Sequence, residues 1–556
     1  MLPHLKKLIL LTLLPLSAFG MVDMNNACYS NTWTDLEVPG SGYNLRVLRA
    51  YKSRSLYNGM YGFGWCSEFE TRLSVTPEGG VKISECGDGQ EIFFSAKELS
   101  RSEVDDSINR IVAKMKTAKA SSGFSGDYWA QLKSKLLKEP GVRADYATQY
   151  GVVLPVKDGV KMLANGRESE SVTLQNKVYT RILPDGSSQR FDLNGHLNSM
   201  YNQNGNFLKL NYAKDQLIEV EDNNFNKLTF KYYSNGKVQK VTGPNSKFTE
   251  YRYSESEDLI WNKNALSKSD TEVYTYEYNE YHNLTKATWP DKSFITLKYD
   301  NLKDWVIAFA GRDRCTENYK YESSAASPAL NYWATTTKIC DKEVVATNRY
   351  EFWHKQLPTG QTILSRIQTN LSGNIRDVVY DDMTGKPLSI KNNADLSEYA
   401  YFPNGLLKTK RNSESILEFD YDNEIKKVSK VTVTHLHEKK QSGATEFSSF
   451  KYDSKGNLIF AENSEGKKIK MVYDFLGHII SIVDGQKTAI NLKYEDQFGK
   501  PSEVQRADLG SVKISYDSNG EIASVESKQG PEVAAKIASS YNNLMRIIAP
   551  ATQNIY

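Results

Sequence analysis

The stretch Tyr452-Asp453-Ser454-Lys455-Gly456-Asn457-Leu458 decides the fold, because the chain repeats it at a nearly constant spacing. It returns as Tyr473-Asp474-Phe475-Leu476-Gly477-His478-Ile479, and again as Tyr516-Asp517-Ser518-Asn519-Gly520-Glu521-Ile522. With a looser copy at Tyr494, the starts are about 21 residues apart, a period typical of repeat architectures. Units this short cannot bury their apolar side chains alone, so the repeat predicts that they stack on one another.

Further copies lie upstream in more substituted form. They begin at Phe191, Tyr212, Tyr232, Tyr253, Tyr278, Tyr299, Tyr380-Asp381, Tyr401 and Tyr421-Asp422. The chain has 34 Tyr against 21 Phe and 8 Trp, and repeat starts account for at least ten of these tyrosines. The tyrosine excess is therefore explained by the repeat architecture and does not point to a chemical function.

Each unit has the pattern of two short strands and two turns. Asp453 and Gly456 occupy the first and fourth positions of a type I turn, where each is favoured. Ile469, Met471 and Tyr473 alternate with lysines, the period-2 pattern of a half-buried strand. The sequence thus predicts a mainly β protein: a spiralling antiparallel sheet forming an open or partial shell, with a small helical insertion and a C-terminal helix.

The motif Tyr-Asp-x-x-Gly-[Asn/Arg]-[Leu/Ile] resembles the YD repeat of RHS proteins, teneurins and insecticidal toxin-complex subunits. Independent stretches at 35–40, 48–55 and 59–65 resemble the domain that precedes RHS repeats, and 178–192 resembles the entry into the array. RHS toxins carry Asp-Pro motifs where self-cleavage frees a C-terminal toxin, and this sequence has no Asp-Pro dipeptide. The resemblance therefore implies a stripped-down YD-repeat protein that lacks the C-terminal core and toxin.

The predicted organisation has five parts. They are a signal peptide (1–20), an RHS-type N-terminal β domain (21–95), a helical insertion (96–170), the YD-repeat array (171–530), and a C-terminal helix and tail (531–556). In the insertion, Val104, Ile108 and Ile111 recur at helical spacing, and Pro140-Gly141 is expected to stop a second helix. The insertion is interpreted as a helical hairpin packed on the sheet, or as a partner-docking or mouth-covering element.

The C-terminal helix is predicted over 531–548, where apolar residues from Val533 to Ile548 form one stripe. Its expected role is to cap the last repeat, since an open array exposes an unpaired strand edge. Insertion into the shell interior and partner binding are the alternatives.

Export is expected from the N-terminus. Lys6 and Lys7 precede a short leucine-rich run, and Ala18-Phe19-Gly20 offers a cleavage site. An oxidising compartment then favours disulfides. Cys315 with Cys340, and Cys66 with Cys86, are the candidate pairs, although spacing alone does not fix the connectivity of five cysteines. The destination is expected to be the periplasm, the cell surface or the extracellular space.

Composition excludes several classes of protein. A net charge of +3 supplies no basic excess for nucleic acid. No stretch after residue 20 is apolar for the ~20 residues that a membrane span needs. The aromatic content of 11% excludes a disordered chain.

The sequence shows no recognisable catalytic, cofactor-binding or metal motif, so a non-enzymatic protein without a cofactor is expected. His435 and His437 alternate along one strand, which is compatible with a metal, but two surface histidines on an extended hairpin are the preferred explanation. Carboxylates such as Glu277, Glu280 and Glu351 are not singled out by their spacing.

Three functions remain in order of preference. The first is a scaffold that binds or partly encloses a polypeptide cargo or a second YD-repeat chain. The second is a surface adhesin that stacks glycans on Trp261, Trp289, Trp305, Trp333 and Trp353. The third is a hydrolase with scattered carboxylates.

Overall fold

A computed structural model describes residues 21–40, 42–87, 89–118, 125–164, 167–267, 269–358, 360–382, 384–436, 444–485, 489–517, 520–527, 529–530, 532–537 and 539–540. The expected signal peptide, at 1–20, lies outside the described residues. Within them, no helix is long and apolar enough to cross a membrane.

The chain begins with a small antiparallel sheet in the order β1-β2-β3-β6. Its strands are β1 (Met21–Asp23), β2 (Cys28–Val38), β3 (Leu45–Lys52) and β6 (Trp65–Ser67). A two-stranded hairpin of β4 (Asn58–Gly59) and β5 (Gly62–Phe63) and a 3₁₀ helix at Glu68–Glu70 complete it. We call residues 21–70 the N-terminal module.

Within the described residues, all remaining strands form one antiparallel sheet of 36 strands, in which each strand pairs with its neighbours in sequence. Its first part comprises β7 (Arg72–Val75), β8 (Val81–Ser84), β9 (Glu91–Ser95), β10 (Lys161–Ala164), β11 (Arg167–Gln175), β12 (Val178–Ile182), β13 (Ser188–Phe191), β14 (Leu197–Tyr201), β15 (Phe207–Ala213), β16 (Gln216–Asp222), β17 (Lys227–Tyr232), β18 (Val238–Thr242), β19 (Phe248–Tyr253), β20 (Leu259–Ala265), β21 (Thr271–Tyr278), β22 (Leu284–Thr288), β23 (Phe294–Tyr299), β24 (Val306–Ala310) and β25 (Thr316–Ser323). Three longer strands follow: β26 (Asn331–Cys340), β27 (Glu343–Gln356) and β28 (Thr362–Leu371). The last part comprises β29 (Asn374–Tyr380), β30 (Pro387–Asn392), β31 (Asp395–Tyr401), β32 (Leu407–Arg411), β33 (Ser415–Tyr421), β34 (Val428–His435), β35 (Thr445–Tyr452), β36 (Leu458–Asn463), β37 (Lys468–Tyr473), β38 (Ile479–Asp484), β39 (Ala489–Tyr494), β40 (Pro501–Arg506), β41 (Gly510–Tyr516) and β42 (Ile522–Ser527).

The long sheet is open. Within the described residues β42 pairs with β41 alone, and β7 meets the array through a single bridge between Arg72 and His196. The predicted fold class, an open antiparallel YD-repeat sheet with a helical insertion and a C-terminal helix, is confirmed. Strands β7–β9, which the sequence assigns to the N-terminal domain, pair into the long sheet through β9 and β10.

Three helices stand between β9 and β10: α1 (Arg101–Thr117), α2 (Gly126–Lys138) and α3 (Pro140–Tyr150). Helix α2 ends at Lys138, directly before Pro140-Gly141 as expected, but Pro140 also opens a third helix that was not predicted, at the first position where its missing N–H costs nothing. Arg143 on α3 donates to Glu78 over 2.8 Å, which fixes the helices to the β7–β8 turn. Leu137 on α2 touches Gly360 in the turn after β27. The insertion thus packs on the sheet and also bridges to a distant hairpin.

The C-terminal helix is described at 532–537 and 539–540. Ala534 and Ile537 pack against Val512, with Ile514 beside them. Tyr541, Leu544 and Ile548, the rest of the predicted stripe, lie outside the described residues.

The long sheet curves around the N-terminal module. Contacts with the module include those of β16, which meets β3, and of Tyr332 in β26, whose hydroxyl donates to the Asn25 carbonyl over 3.0 Å. Strands about 4.8 Å apart would spread these contacts over roughly 50 Å if the sheet were flat, farther than a four-stranded module reaches. The module therefore lies on the concave face.

After about 250 residues, the spiral sheet comes back into contact with an earlier part of itself. Lys427 donates to the Gln203 side chain over 2.7 Å, and the Asn457 amide donates to Asn204 over 2.8 Å. The Asn206 amide donates to the Leu476 carbonyl over 2.9 Å. These bonds join turns at opposite ends of their strands, so a second revolution stacks on the first. We call this contact, between residues 203–206 and residues 427–477, the seam.

The seam can be tested with a pair of turn glycines. Gly477 and Gly466 both have positive φ, +88° and +75°, so alanine strains either turn by about 1 kcal/mol. A Cβ on Gly477 would lie 2.3 Å from Asn204 Cγ, whereas nothing lies within 4 Å of one on Gly466. Gly477→Ala should therefore lower the melting temperature more than Gly466→Ala. Amide hydrogen exchange at residues 203–206 should become faster in the Gly477→Ala variant only. Equal losses would mean that the seam does not stabilise the spiral.

Candidate functional site: the repeat-tyrosine face

The repeat tyrosines form a ladder of hydroxyl hydrogen bonds. Tyr473 ends β37, and its hydroxyl donates to the carbonyl of Leu458, the first residue of β36, over 2.9 Å. The same bond, at 2.5–3.0 Å, is made by Tyr212, Tyr232, Tyr253, Tyr278, Tyr299, Tyr321, Tyr401, Tyr421, Tyr452, Tyr494 and Tyr516. Each bond ties the end of one strand to the start of the preceding strand. Tyr380 also ends a strand, β29, and packs beside the apolar cluster of the later strands.

A register shift accompanies the tyrosine in most repeats. At Tyr473 it falls between Val472 and Tyr473, opposite Ile479. Equivalent shifts occur at Tyr232, Tyr380, Tyr452 and Tyr516. Bulges of this kind bend a strand and increase its twist, so a shift repeated at the same place curves the whole sheet.

The aspartates order the turns. Asp453 Oδ1 accepts from the backbone N–H groups of Lys455 and Asn457, both over 2.9 Å. Asp474 and Asp517 accept from the residue four positions on, and Asp381 accepts from Thr384 N–H over 2.8 Å. In each turn the glycine N–H donates to the aspartate carbonyl, as Gly456 and Gly520 do at 3.0 Å.

The residue after the turn glycine also belongs to the motif. Asn457 donates from its amide to Asp453 Oδ2 over 2.9 Å, and the His478 ring lies 2.9 Å from Asp474 Oδ2. Sequence reasoning assigned only the aspartate and the glycine to the turn. The recurrence of a short polar side chain at this position was the available signal.

We call the sheet face that carries the repeat tyrosines the repeat-tyrosine face. In β19–β21 the N-terminal module covers it. Asp35 and Arg49 form a buried ion pair, 1% and 0% exposed, and Arg49 also donates to Asn262 over 3.2 Å. The Tyr251 hydroxyl donates to Asp35 over 2.7 Å. Sequence reasoning missed this network, because its members are more than 200 residues apart.

On β29–β38, the described residues of the N-terminal module do not cover the repeat-tyrosine face. Its buried apolar cluster includes Phe419, Phe450, Ile469, Met471 and Ile482, and every member comes from these strands themselves. The module contributes nothing to that cluster, whereas it supplies much of the larger one. The concave face thus has one stretch covered by the module and one built by the array alone.

Both candidate disulfides are present. Cys66 is bonded to Cys86, which ties the module to the β8–β9 turn, and Cys315 is bonded to Cys340 across the ends of β25 and β26. Cys28 is free and buried, and burial raises the pKa of its thiol.

The remaining candidate residues form no common site. His435 Nε2 lies 3.6 Å from Glu446, and His437 is outside the described residues. Glu277 pairs with Lys286, and Glu351 with Arg349. Within the described ranges, no group of three or more His, Cys, Asp or Glu side chains is arranged to hold a metal ion.

The five tryptophans of the adhesin hypothesis are half-buried, and each contacts another side chain of the protein. Trp261, Trp333 and Trp353 each carry an arginine guanidinium over the ring, 4.3–4.6 Å from its centre. Trp289 stacks on Trp33 of the module instead, and Trp305 packs edge-on against Tyr321.

The family follows from comparison with known proteins. The Teneurin YD-shell family model matches residues 178–556, and a second model, a domain of unknown function (DUF6531), matches residues 20–94. The first match spans more than half of the chain. The chain therefore belongs to the Teneurin YD-shell family.

Solved structures give weaker likenesses. Crystal structures of TcdB2-TccC3-TEV and of TcdB2-TccC3 without its hypervariable C-terminal region are 12% and 10% identical, with TM-scores of 0.42 and 0.41. They cover 96% and 97% of this chain, which spans 29% of each of them. A Photorhabdus luminescens Tc holotoxin pore is 9% identical, covers 91% of this chain and 29% of its own, and has a TM-score of 0.31. No curated protein matches the chain.

Removing one ladder hydroxyl should destabilise the array modestly. Tyr473→Phe leaves the Leu458 carbonyl without this donor and should cost about 0.5–1.5 kcal/mol in urea unfolding. The control is Tyr201→Phe, because the structure gives the Tyr201 hydroxyl no hydrogen bond within the described residues while its ring packs against Phe207 and Arg190. A loss no larger than the control's would contradict the ladder's role.

The ladder also predicts alkaline unfolding. Burial raises the pKa of Tyr452 and Tyr516 to about 12, and those of Tyr212 and Tyr232 higher still. Unfolded tyrosine titrates near 10, so the folded chain holds more protons above that pH, and stability should fall as the pH rises from about 10 to 12. Absorbance of tyrosinate and far-UV circular dichroism should change together. Tyrosinate formation in a chain that stays folded would refute this.

Proposed function

We propose that the chain is an exported, non-enzymatic YD-repeat scaffold that binds or partly encloses a polypeptide partner on the repeat-tyrosine face of β29–β38. One observation carries the proposal. On the first revolution this face is covered by the N-terminal module, whereas on β29–β38 the cluster contains array residues alone.

The chemistry of the face suits an extended or unfolded segment. The cluster itself is buried within the array, and a partner would contact the half-buried side chains beside it, such as Leu417 and the tyrosines Tyr401 and Tyr421, whose hydroxyls are already bonded to carbonyls. Such a surface offers apolar contact without demanding a particular partner fold. The concave arrangement adds contacts from several strands at once, as repeat arrays commonly do.

Export is part of the proposal. Two disulfides are typical of an oxidising compartment, which agrees with the leader-like residues at the N-terminus. A second YD-repeat chain is an alternative occupant of the same face.

Site-specific photocrosslinking tests the proposal. A benzophenone amino acid is placed at Leu417, on the repeat-tyrosine face of β33, and at Phe447, which points to the opposite face of β35 and is 37% exposed. In the native host, the Leu417 variant should capture one recurring polypeptide and the Phe447 variant should not. Light scattering on the unmodified protein should show the mass of the complex.

Three outcomes contradict the proposal. They are equal capture at both positions, a monomer whose X-ray scattering fits a solid particle, and repeated purification without any polypeptide. Capture of the chain's own copies would favour the second-chain alternative.

A further inference from the structure

A lysine, an amide and a carboxylate meet where the N-terminal module touches the array. Lys237, in the turn between β17 and β18, is only 5% exposed. Its Nζ lies 2.5 Å from Asn58 Oδ1 and 3.0 Å from the Gly59 carbonyl, both on the module's β4 strand. The amine and the amide are 179 residues apart in sequence.

Glu257 touches both of the other groups. Its Oε2 accepts from Asn58 Nδ2 over 2.6 Å and lies 3.4 Å from Lys237 Nζ. Asn235 donates to Oε1 over 3.4 Å. The hydrogen bond from Asn58, aided by the Lys237 charge, lowers the pKa of Glu257, which keeps the side chain in the carboxylate form that can accept a proton.

The contact of Lys237 with a backbone carbonyl recurs in later turns of the array, whereas its joint contact with an amide and a carboxylate does not recur at Lys427 or Lys500. Lys427 and Lys500, near the same point of later turns, donate to the carbonyls of Gly456 and Gly520, as Lys237 does to that of Gly59. Lys427 also meets an amide, that of Gln203, but this amide donates to Asn457 instead of to a carboxylate. The complete set of amine, amide and bridging carboxylate therefore distinguishes Lys237.

We propose that Lys237 and Asn58 form an intramolecular isopeptide bond, with Glu257 as the proton carrier. Glu257 takes a proton from the Lys237 ammonium, and the free amine attacks Asn58 Cγ. The protonated Glu257 then gives that proton to the departing Nδ2, and the second proton of the attacking nitrogen follows through the same carboxylate, so that ammonia leaves as ammonium. A C–N bond forms, another breaks, and the chain loses one ammonium ion per bond, with no oxidant or co-substrate.

The geometry suits this step. A carbonyl carbon lies about 1.2 Å from its oxygen, so Asn58 Cγ is one bond beyond the atom that Nζ already contacts. Reacting atoms held about 3–3.5 Å apart are close to attack. Asn58 is exposed, which lets ammonia leave into solvent, whereas the buried Lys237 is held beside the amide.

The product would be a covalent tie between module and array. It would complement Cys66–Cys86, which also fixes the module to the long sheet. Unlike that disulfide, an amide survives reducing agents.

Mass spectrometry on the full chain tests the proposal. The purified protein should be lighter than its sequence by about 17 Da, the mass of ammonia, beyond the loss from its disulfides. Fragment spectra should show a branched peptide joining 58 and 237. Glu257→Gln and Lys237→Arg should each abolish the loss, and both should run more slowly on reducing, denaturing gels if the link compacts the unfolded chain.

Lys427→Arg is the matched control, because it alters another lysine–amide contact in a turn of the array and should leave the ammonia loss unchanged. Folding of every variant is checked by circular dichroism, so that absence of the bond is not confused with failure to fold. A wild-type chain of uncrosslinked mass, or a branched peptide that persists in Lys237→Arg, overturns the proposal.

Discussion

The spiral depends on one repeated bond, from the hydroxyl of a strand-ending tyrosine to the carbonyl that opens the preceding strand. Phenylalanine fills the same space but offers no donor, which explains why tyrosine outnumbers it in this chain. The register shift beside that tyrosine makes the strand curve, and the aspartate turn then reverses it within a few residues. Curvature, reversal and spacing are therefore set together in about 21 residues, and every later feature follows from their repetition.

The N-terminal module is bound to the concave face through a buried ion pair with specific polar partners. The buried Arg49–Asp35 pair is matched by Asn262, Tyr251 and Tyr276 on the array, so each charge keeps partners after it leaves water. Removing one member of such a pair typically costs about 3–5 kcal/mol, because the other charge is left buried. The pair thus makes the position of the module specific, whereas the apolar row on β29–β38 imposes no comparable requirement.

The repeat motif was sufficient to predict the sheet, the turns and the class of fold, because each of these is encoded within one unit. Features that join distant units were not predictable from it. The seam links Asn204 to Asn457, and the hydroxyl ladder has backbone acceptors that carry no sequence signal. Strands β26–β28 lack the motif and are longer, and the helix that Pro140 begins was not predicted, because the same proline also marks the end of α2. For the candidate site, sequence reasoning found the tyrosines and both disulfides but neither the Asp35 network nor the Lys237 contact, which depend on residues far apart.

The unbroken order of strands has a consequence for how the protein is made. Every strand of the long sheet from β8 to β42 pairs with the one just before it, so a chain that emerges N-terminus first never waits for a later partner. The N-terminal module emerges before the strands that surround it, and it can serve as the folded core on which they pack. If the C-terminal strands formed first, the sheet would have to curve before the module inside it existed. The architecture therefore favours folding from the N-terminus to the C-terminus.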